Sequence, residues 1–228
     1  MTRTAAALAL AGSLLTGLVA GCGGPDAAPD PAPPATAAEA PGADRPAPTP
    51  VAAAGRALGV GETAPDFALP NAAGRDVRLS DLLARGPVVL TFYRGAWCPY
   101  CNTQLRDYQD VLGEIERAGA TLVAVSPQTP DGSVTTVERN GLAFPVLSDI
   151  GNRVSRAYGL VFAVDARTRE RYGAVGVDLA EAGGAWELPV PATYVIDPGG
   201  TVRAAFVEAD YTQRASARRV LDALRDAA

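Results

Sequence analysis

Histidine is missing from these 228 residues, and so is lysine: all 20 basic side chains are arginine. Without imidazole there is no Ser-His-Asp or Cys-His catalytic arrangement and no His-ligated metal site. Acid–base work is left to carboxylates, Tyr, Cys and water. No segment is strongly basic and the formal net charge is −5, so no nucleic-acid partner is expected from phosphate contacts. Cysteine is scarce, with three in the chain. Apolar residues are not scarce: at 48% hydrophobic, the chain can bury a real core.

The first of the cysteines belongs to an export pattern. "MTRT" carries Arg3, and the run from Ala5 to Gly21, "AAALALAGSLLTGLVAG", is small and apolar. It is short for a membrane span of about 20 residues and has the character of a signal-peptide core. The run closes in "LVAGC", which resembles a bacterial lipobox. On that resemblance residues 1–21 are a lipoprotein signal peptide and Cys22 is acylated as the first mature residue. The chain is then exported and held on the extracytoplasmic side of the cell membrane by a lipid anchor. An ordinary signal peptide or a short anchor helix is the alternative. If Cys22 is lipidated, the odd cysteine count resolves into one pair, Cys98 and Cys101.

Residues 22–57 hold nine of the 19 prolines, much Ala and Gly, and no aromatic residue. Such a segment cannot bury enough apolar surface to offset its ordering entropy and is expected to be a disordered spacer. The texture changes at residue 58, and 58–228 read as one folded domain. "APDFALPNAAGRDVRLSDL" suggests two short strands about a turn at Asn71–Gly74. "PVVLTFYRG" (87–95) and "ATLVAVSP" (120–127) are buried strands. Between them Leu105, Tyr108, Leu112 and Ile115 mark one apolar helix face ending near Gly119. A helix at 133–140, a strand at 144–149 and a helix at 151–158 follow, then an inserted hairpin or loop at 160–188. "ATYVIDPGGTVRAAFVE" (192–208) reads as a hairpin turning at "DPGG", and a last helix as 212–225.

"TFYRGAWCPYCNTQL" (91–105) places Cys98 and Cys101 where a buried strand gives way to a helix. A zinc site needs about four N or S ligands, and two cysteines without histidine do not supply them. A structural disulfide across two residues would restrict the unfolded chain little. At a helix start, however, free N–H groups and the helix dipole favour a thiolate, and a Cys-X-X-Cys thiol there can ionise near neutral pH or below. Pro99 suits the first helical turn. Trp97 either shields the pair or is a core aromatic, and Arg94 either holds a thiolate or is solvated at the strand end.

"WCPYC" resembles the active-site turn of thioredoxin-like proteins. The longer pattern "VGETAPDFALPN…VRLSDL…GPVVLTFYRGAWCPYCNTQL…VAVSPQ…FPVLSD…VPATYVID" is similar to the AhpC/TSA redoxins, in their peroxiredoxin-like branch with a Cys-X-X-Cys. The resemblance implies an α/β thioredoxin-like fold, a central mixed β-sheet flanked by helices, with an N-terminal β-hairpin extension. It implies an antioxidant thiol oxidoreductase cycling Cys98 and Cys101 between dithiol and disulfide, with no cofactor and no metal. Its substrate would be a hydroperoxide, or a protein or small-molecule disulfide. Electrons would come from an external thiol reductant such as a thioredoxin-like protein. A redox-inactive surface lipoprotein acting as a binding module is the reading from another class.

Two departures from the family pattern matter. Laid without gaps, the Pro-x-x-x-Thr/Ser-x-x-Cys motif falls on Arg94-x-x-x-Cys98-x-x-Cys101, which makes Cys101 the attacking position of a peroxidase. As a disulfide reductase, Cys98 would attack instead. The arginine expected before the "YVID" strand is Pro191, which matches the cis-proline of thioredoxins beside the substrate groove; Thr193 follows it. "DYTQR" (210–214) looks like the tail of the same branch, with Asp210 and Arg214 capping and solvating the last helix.

Overall fold

A computed structural model describes residues 56–177, 179 and 186–227. The expected signal peptide, Cys22 and nearly all of the expected spacer lie outside the described residues. Two short strands, β1 (Ala68–Pro70) and β2 (Asp76–Arg78), pair antiparallel as the expected N-terminal hairpin, followed by the short helix α1 (Leu79–Leu83).

The core strand β3 (Val88–Phe92) is buried at every residue, as its unbroken apolar run requires. It leads through Tyr93–Cys98 into α2 (Pro99–Asp110), and α3 (Leu112–Arg117) continues to β4 (Thr121–Ser126). The sequence predicts one helix here. Val111, at φ −103° and ψ 7°, divides it in two, a β-branched residue of low helix propensity. Leu105, Tyr108, Leu112 and Ile115 are buried on both sides of the break.

Helix α4 (Pro130–Asn140) starts three residues earlier than expected because Thr129 caps it, its hydroxyl accepting from the Gly132 N–H, with Pro130 in the first turn. Strand β5 (Val146–Ser148) and helix α5 (Arg153–Ala157) follow. The 160–188 insert is a hairpin of β6 (Val161–Ala163) and β7 (Glu187–Pro189), with an unforeseen helix α6 (Ala166–Ala174) between its strands. Strands β8 (Ala192–Ile196) and β9 (Val202–Val207) form the expected hairpin, and α7 (Ala217–Asp226) closes the chain. That helix starts five residues later than predicted, with Ser216 as its cap.

The central sheet has the order β5-β4-β3-β8-β9. β3, β4 and β5 are parallel to one another, while β8 runs antiparallel to both β3 and β9. Alternate β3 side chains feed two clusters. Val88, Leu90 and Phe92 join Tyr158 and Tyr194 on one face. Val89 joins Cys98, Cys101, Leu105, Tyr108, Val220 and Leu224 on the other. The cysteines therefore sit at the edge of a packed core, where β3 leaves the sheet.

Candidate active site

Cys98 is the N-cap of α2, in extended conformation at φ −87° and ψ 112°, and Pro99 occupies the first helical position. Cys101 follows within the first turn, so both sulfurs sit where unpaired helix N–H groups gather. Both are free thiols and both are fully buried.

The turn that delivers Cys98 is held at one residue, Ala96. The Ala96 N–H donates to Gln128 Oε1 at 2.8 Å, and the Ala96 carbonyl accepts from Asn102 Nδ2 at 2.8 Å and from Arg139 Nη1 at 2.9 Å. Asn140 Nδ2 donates to Asn102 Oδ1 at 3.1 Å, which fixes that amide in turn. Gly95 adopts φ +148°, and a Cβ there would stand 2.6 Å from Trp97 Nε1. Glycine is required at that position.

Arg94 is not a solvated strand-end residue. It is 4% exposed, and its Nη2 donates to Cys98 Sγ at 3.2 Å. Nη1 donates to the Tyr172 hydroxyl at 3.0 Å, and the guanidinium stacks on the Tyr211 ring at 4.0 Å and the Trp97 ring at 5.0 Å. Burial works against the charge of this arginine, but the two sulfurs and Tyr172 outweigh it and hold the guanidinium protonated. Trp97 meets Tyr172 at 5.0 Å and Tyr100 meets Tyr211 at 5.9 Å, so four aromatic rings gather around the cysteine turn.

The two thiols are inequivalent. A hydrogen bond from the Cys101 thiol, and then the charge and hydrogen bond of Arg94, lower the Cys98 pKa against its burial. Burial first, and then the neighbouring Cys98, push Cys101 well upward. The shifts run in opposite directions, so ionisation is favoured at Cys98 and disfavoured at Cys101. Chemically this is a shielded nucleophile beside a protonated partner that can close a disulfide with it.

Below the cysteines lies a buried hydroxyl chain. The Thr91 and Thr193 hydroxyls share a hydrogen bond of 3.0 Å, and Thr193 reaches the Tyr108 hydroxyl at 3.1 Å. Tyr108 also accepts from Gln104 Nε2 at 3.0 Å and donates to the Ala215 carbonyl at 3.0 Å. Thr193 thus has its hydroxyl engaged in the core. Pro191 directly precedes β8, beside the end of β3 from which the cysteine turn departs. Every peptide bond among the described residues is trans, so Pro191 holds the position of the thioredoxin cis-proline without its cis bond. The Pro191 carbonyl accepts from the Glu208 N–H at 3.2 Å, tying the strand entry to the end of β9.

Two site residues escaped the sequence reading, Tyr172 from α6 and Tyr211 from the β9–α7 connection, and Arg214 of that connection was read only as solvating the last helix. Asp210 caps its own turn, accepting from the Thr212 N–H at 2.9 Å and hydroxyl at 2.7 Å, and it does not cap α7. Arg214 is half-buried and not simply solvated: its Nη2 lies 3.6 Å from Cys101 Sγ.

The family model described as AhpC/TSA family matches residues 60–205. The chain belongs to the AhpC/TSA family. A Mycobacterium tuberculosis H37Rv protein named as a peroxiredoxin is 40% identical over 99 residues, 43% of this chain and 62% of that protein. The chain therefore spans less than two thirds of that relative's length. The thiol-disulfide oxidoreductase ResA of Geobacillus thermodenitrificans is 32% identical over 148 residues, 64% of this chain and 68% of that protein. Among solved structures, the peroxidoxin BcpB of Mycobacterium tuberculosis superposes with a TM-score of 0.59 at 26% identity, covering 74% of this chain and 97% of that one.

Proposed function

We propose that this chain is a peroxiredoxin-like thiol oxidoreductase that reduces hydroperoxides, with Cys98 as attacking thiol and Cys101 as resolving thiol. The observation that carries the assignment of roles is the Arg94 guanidinium 3.2 Å from Cys98 Sγ, and the opposite directions in which the two thiols are shifted agree with it. The Cys98 thiolate attacks the nearer peroxide oxygen, the O–O bond breaks, and the leaving alkoxide takes up a proton as the alcohol. Cys98 is now a sulfenic acid. Cys101 loses its proton and attacks the Cys98 sulfur, forming the disulfide and expelling hydroxide, which leaves as water. Two equivalents of an external thiol then return the pair to the dithiol and leave as a disulfide.

The second reading is disulfide exchange. The ResA-like relative supports it, as does a low-pKa first cysteine in Cys-X-X-Cys. Cys98 has the same role in it, and the electrophile is sulfur. We also propose export and lipidation at Cys22, which rest on the "LVAGC" sequence alone; a mature chain whose intact mass shows no acyl group on an N-terminal Cys22 would refute the anchor.

One experiment separates these readings. The reduced domain is mixed in turn with hydrogen peroxide and with an aryl disulfide, for wild type, Cys98→Ser and Cys101→Ser, following the intrinsic tryptophan fluorescence. Peroxidase function predicts oxidation far faster than a free thiol, lost in Cys98→Ser and halted at a sulfenic acid in Cys101→Ser. Oxidation by peroxide no faster than a free thiol, with rapid reaction of the disulfide, would establish exchange instead. Loss of attack only in Cys101→Ser would reverse the roles.

A further inference from the structure

Assigning attack to Cys98 leaves a problem at Cys101. Its thiol is fully buried and is held protonated, yet it must become a thiolate to resolve the sulfenic acid. The charged and titratable groups that face it are Cys98 in its own turn, Arg94 and Tyr93 at the end of β3, and Arg214 from the β9–α7 connection. No carboxylate is among them. Arg94 is committed to Cys98 and to Tyr172 through its two terminal nitrogens.

We propose that Arg214 is a catalytic residue of the resolving half-reaction, the guanidinium that stabilises the Cys101 thiolate as it forms. This rests on the reading above in which Cys98 attacks. Arg214 Nη2 is 3.6 Å from Cys101 Sγ, within reach of a hydrogen bond to sulfur. The opposite nitrogen, Nη1, is spent on its own loop, donating to the Tyr211 carbonyl and, at 2.6 Å, to the Gln213 carbonyl. The fork is thereby turned so that Nη2 presents to the sulfur. Its Nε is buried without an acceptor, which it would not be if Arg214 were simply solvated.

The loop is built to hold that position. Asp210 closes its first turn on Thr212, Ser216 caps α7 behind it, and the Tyr108 hydroxyl donates to the Ala215 carbonyl at 3.0 Å. Tyr108 lies two turns along the helix that carries Cys101. The same helix therefore positions the target sulfur and ties down the residue after its arginine. The Asp210 carboxylate also feels Arg214, and it is occupied by Thr212.

Charge accounting explains why the second arginine acts second. Before reaction, two guanidinium groups face a sulfur pair that shares one negative charge and one proton. Attack on peroxide converts the Cys98 thiolate to a neutral sulfenic acid, and the charge departs with the alcohol's oxygen. A buried guanidinium, Arg94, and a half-buried one, Arg214, then face no anion. Ionisation of Cys101 restores one anion that both guanidinium groups favour, with Arg214 Nη2 already in reach of its sulfur. The released proton leaves with the hydroxide expelled from Cys98 as water, so the step is balanced without another reactant.

The test uses Arg214→Gln and Arg214→Lys in the full domain, with thermal melting to confirm folding. Reduced protein is mixed with one equivalent of hydrogen peroxide, and attack and disulfide closure are followed as separate phases. Dimedone added after a delay reads the lifetime of the sulfenic acid. In Arg214→Gln, attack stays within about twofold of wild type. Closure slows about 3- to 15-fold, the net of a resolving pKa raised by one to two units and a partly compensating gain in nucleophilicity. The deficit shrinks as pH rises, and Arg214→Lys recovers part of it. Equal slowing of both phases, or unchanged closure in a folded Arg214→Gln, overturns the proposal. A wild type that forms its sulfenic acid at Cys101 overturns the underlying assignment of roles instead. If Arg214→Gln fails to fold, Arg214→Lys alone decides: closure at the wild-type rate with an unshifted pH profile overturns the role, and a selective slowing of closure supports it.

Discussion

Replacing Arg94 by Gln makes the sharpest demand on the assignment of Cys98 as nucleophile. The guanidinium is 4% exposed and 3.2 Å from the sulfur, so solvent screening discounts little of its effect. A hydrogen bond to a charged group contributes about 1.5–3 kcal/mol, and each pKa unit is about 1.4 kcal/mol. Removing it should raise the Cys98 pKa by about one to two units, with the Cys101 hydrogen bond left in place. The thiolate fraction below that pKa then falls about 10- to 100-fold. A more basic thiolate is also a better nucleophile, with a Brønsted slope of about 0.4–0.5, so part of the loss is returned. The net expectation is alkylation about 3- to 15-fold slower than wild type at acidic pH and about 3- to 10-fold faster at alkaline pH. The two pH profiles must cross. Iodoacetamide labelling in a Cys101→Ser background, where the hydroxyl still donates, isolates the one thiol. Both sulfurs are buried, so a looser aromatic cover could also change labelling rates. That would multiply the whole profile by a constant and produce no crossing. Parallel profiles would refute the claim that Arg94 sets the ionisation of Cys98.

Gly95→Ala would place a Cβ 2.6 Å from Trp97 Nε1 at φ +148°, a conformation costing about 1–3 kcal/mol for a residue with a side chain; a fall in urea-denaturation midpoint with slowed Cys98 reaction is expected, and an unchanged midpoint would contradict the strain. The thiols also link stability to pH. The Cys98 pKa is lowered on folding, so its contribution is fully present above the unfolded value of about 8.5 and is lost as pH falls through the folded one. Cys101 is raised and runs the other way, contributing below the unfolded value and losing it as pH rises. Under reducing conditions the stability gap between wild type and Cys98→Ser should therefore narrow on acidification; a gap that widens would invert the assigned shift.

The strand–helix–strand unit was legible because β3 and β4 are unbroken apolar runs and Leu105, Tyr108 and Ile115 repeat at helical spacing. Helix α6 was not, because none of its residues is buried and "ARTRERYGA" carries no apolar stripe. The cysteine pair was visible as a local motif. Its surroundings were not local: Arg94 meets Tyr172 across 78 residues, and Arg214 meets Cys101 across 113. No periodicity marks such contacts. The Asp210–Thr212 turn was the available signal that "DYTQR" is a shaped loop and not the start of a helix.

The family pattern and the site geometry assign the attacking sulfur differently, and the placement of arginine accounts for it. The resemblance puts the reactive sulfur at Cys101 and a guanidinium just before the "YVID" strand, where this chain has Pro191. A cation missing there has to enter from elsewhere or the thiolate is not stabilised. Here Arg94 stands in the motif's proline place, four residues before Cys98, and its side chain returns over the turn to that sulfur. A hydroxyl would normally occupy position 98; a thiol there has the helix start, the guanidinium and a donor from Cys101. On the proposed assignment of attack to Cys98, moving the charge from the entry of β8 to the end of β3 moves the nucleophile about one helical turn toward the N-terminus. The former attacking position becomes the buried, protonated partner, and that exchange is what creates a need for a second cation at Cys101.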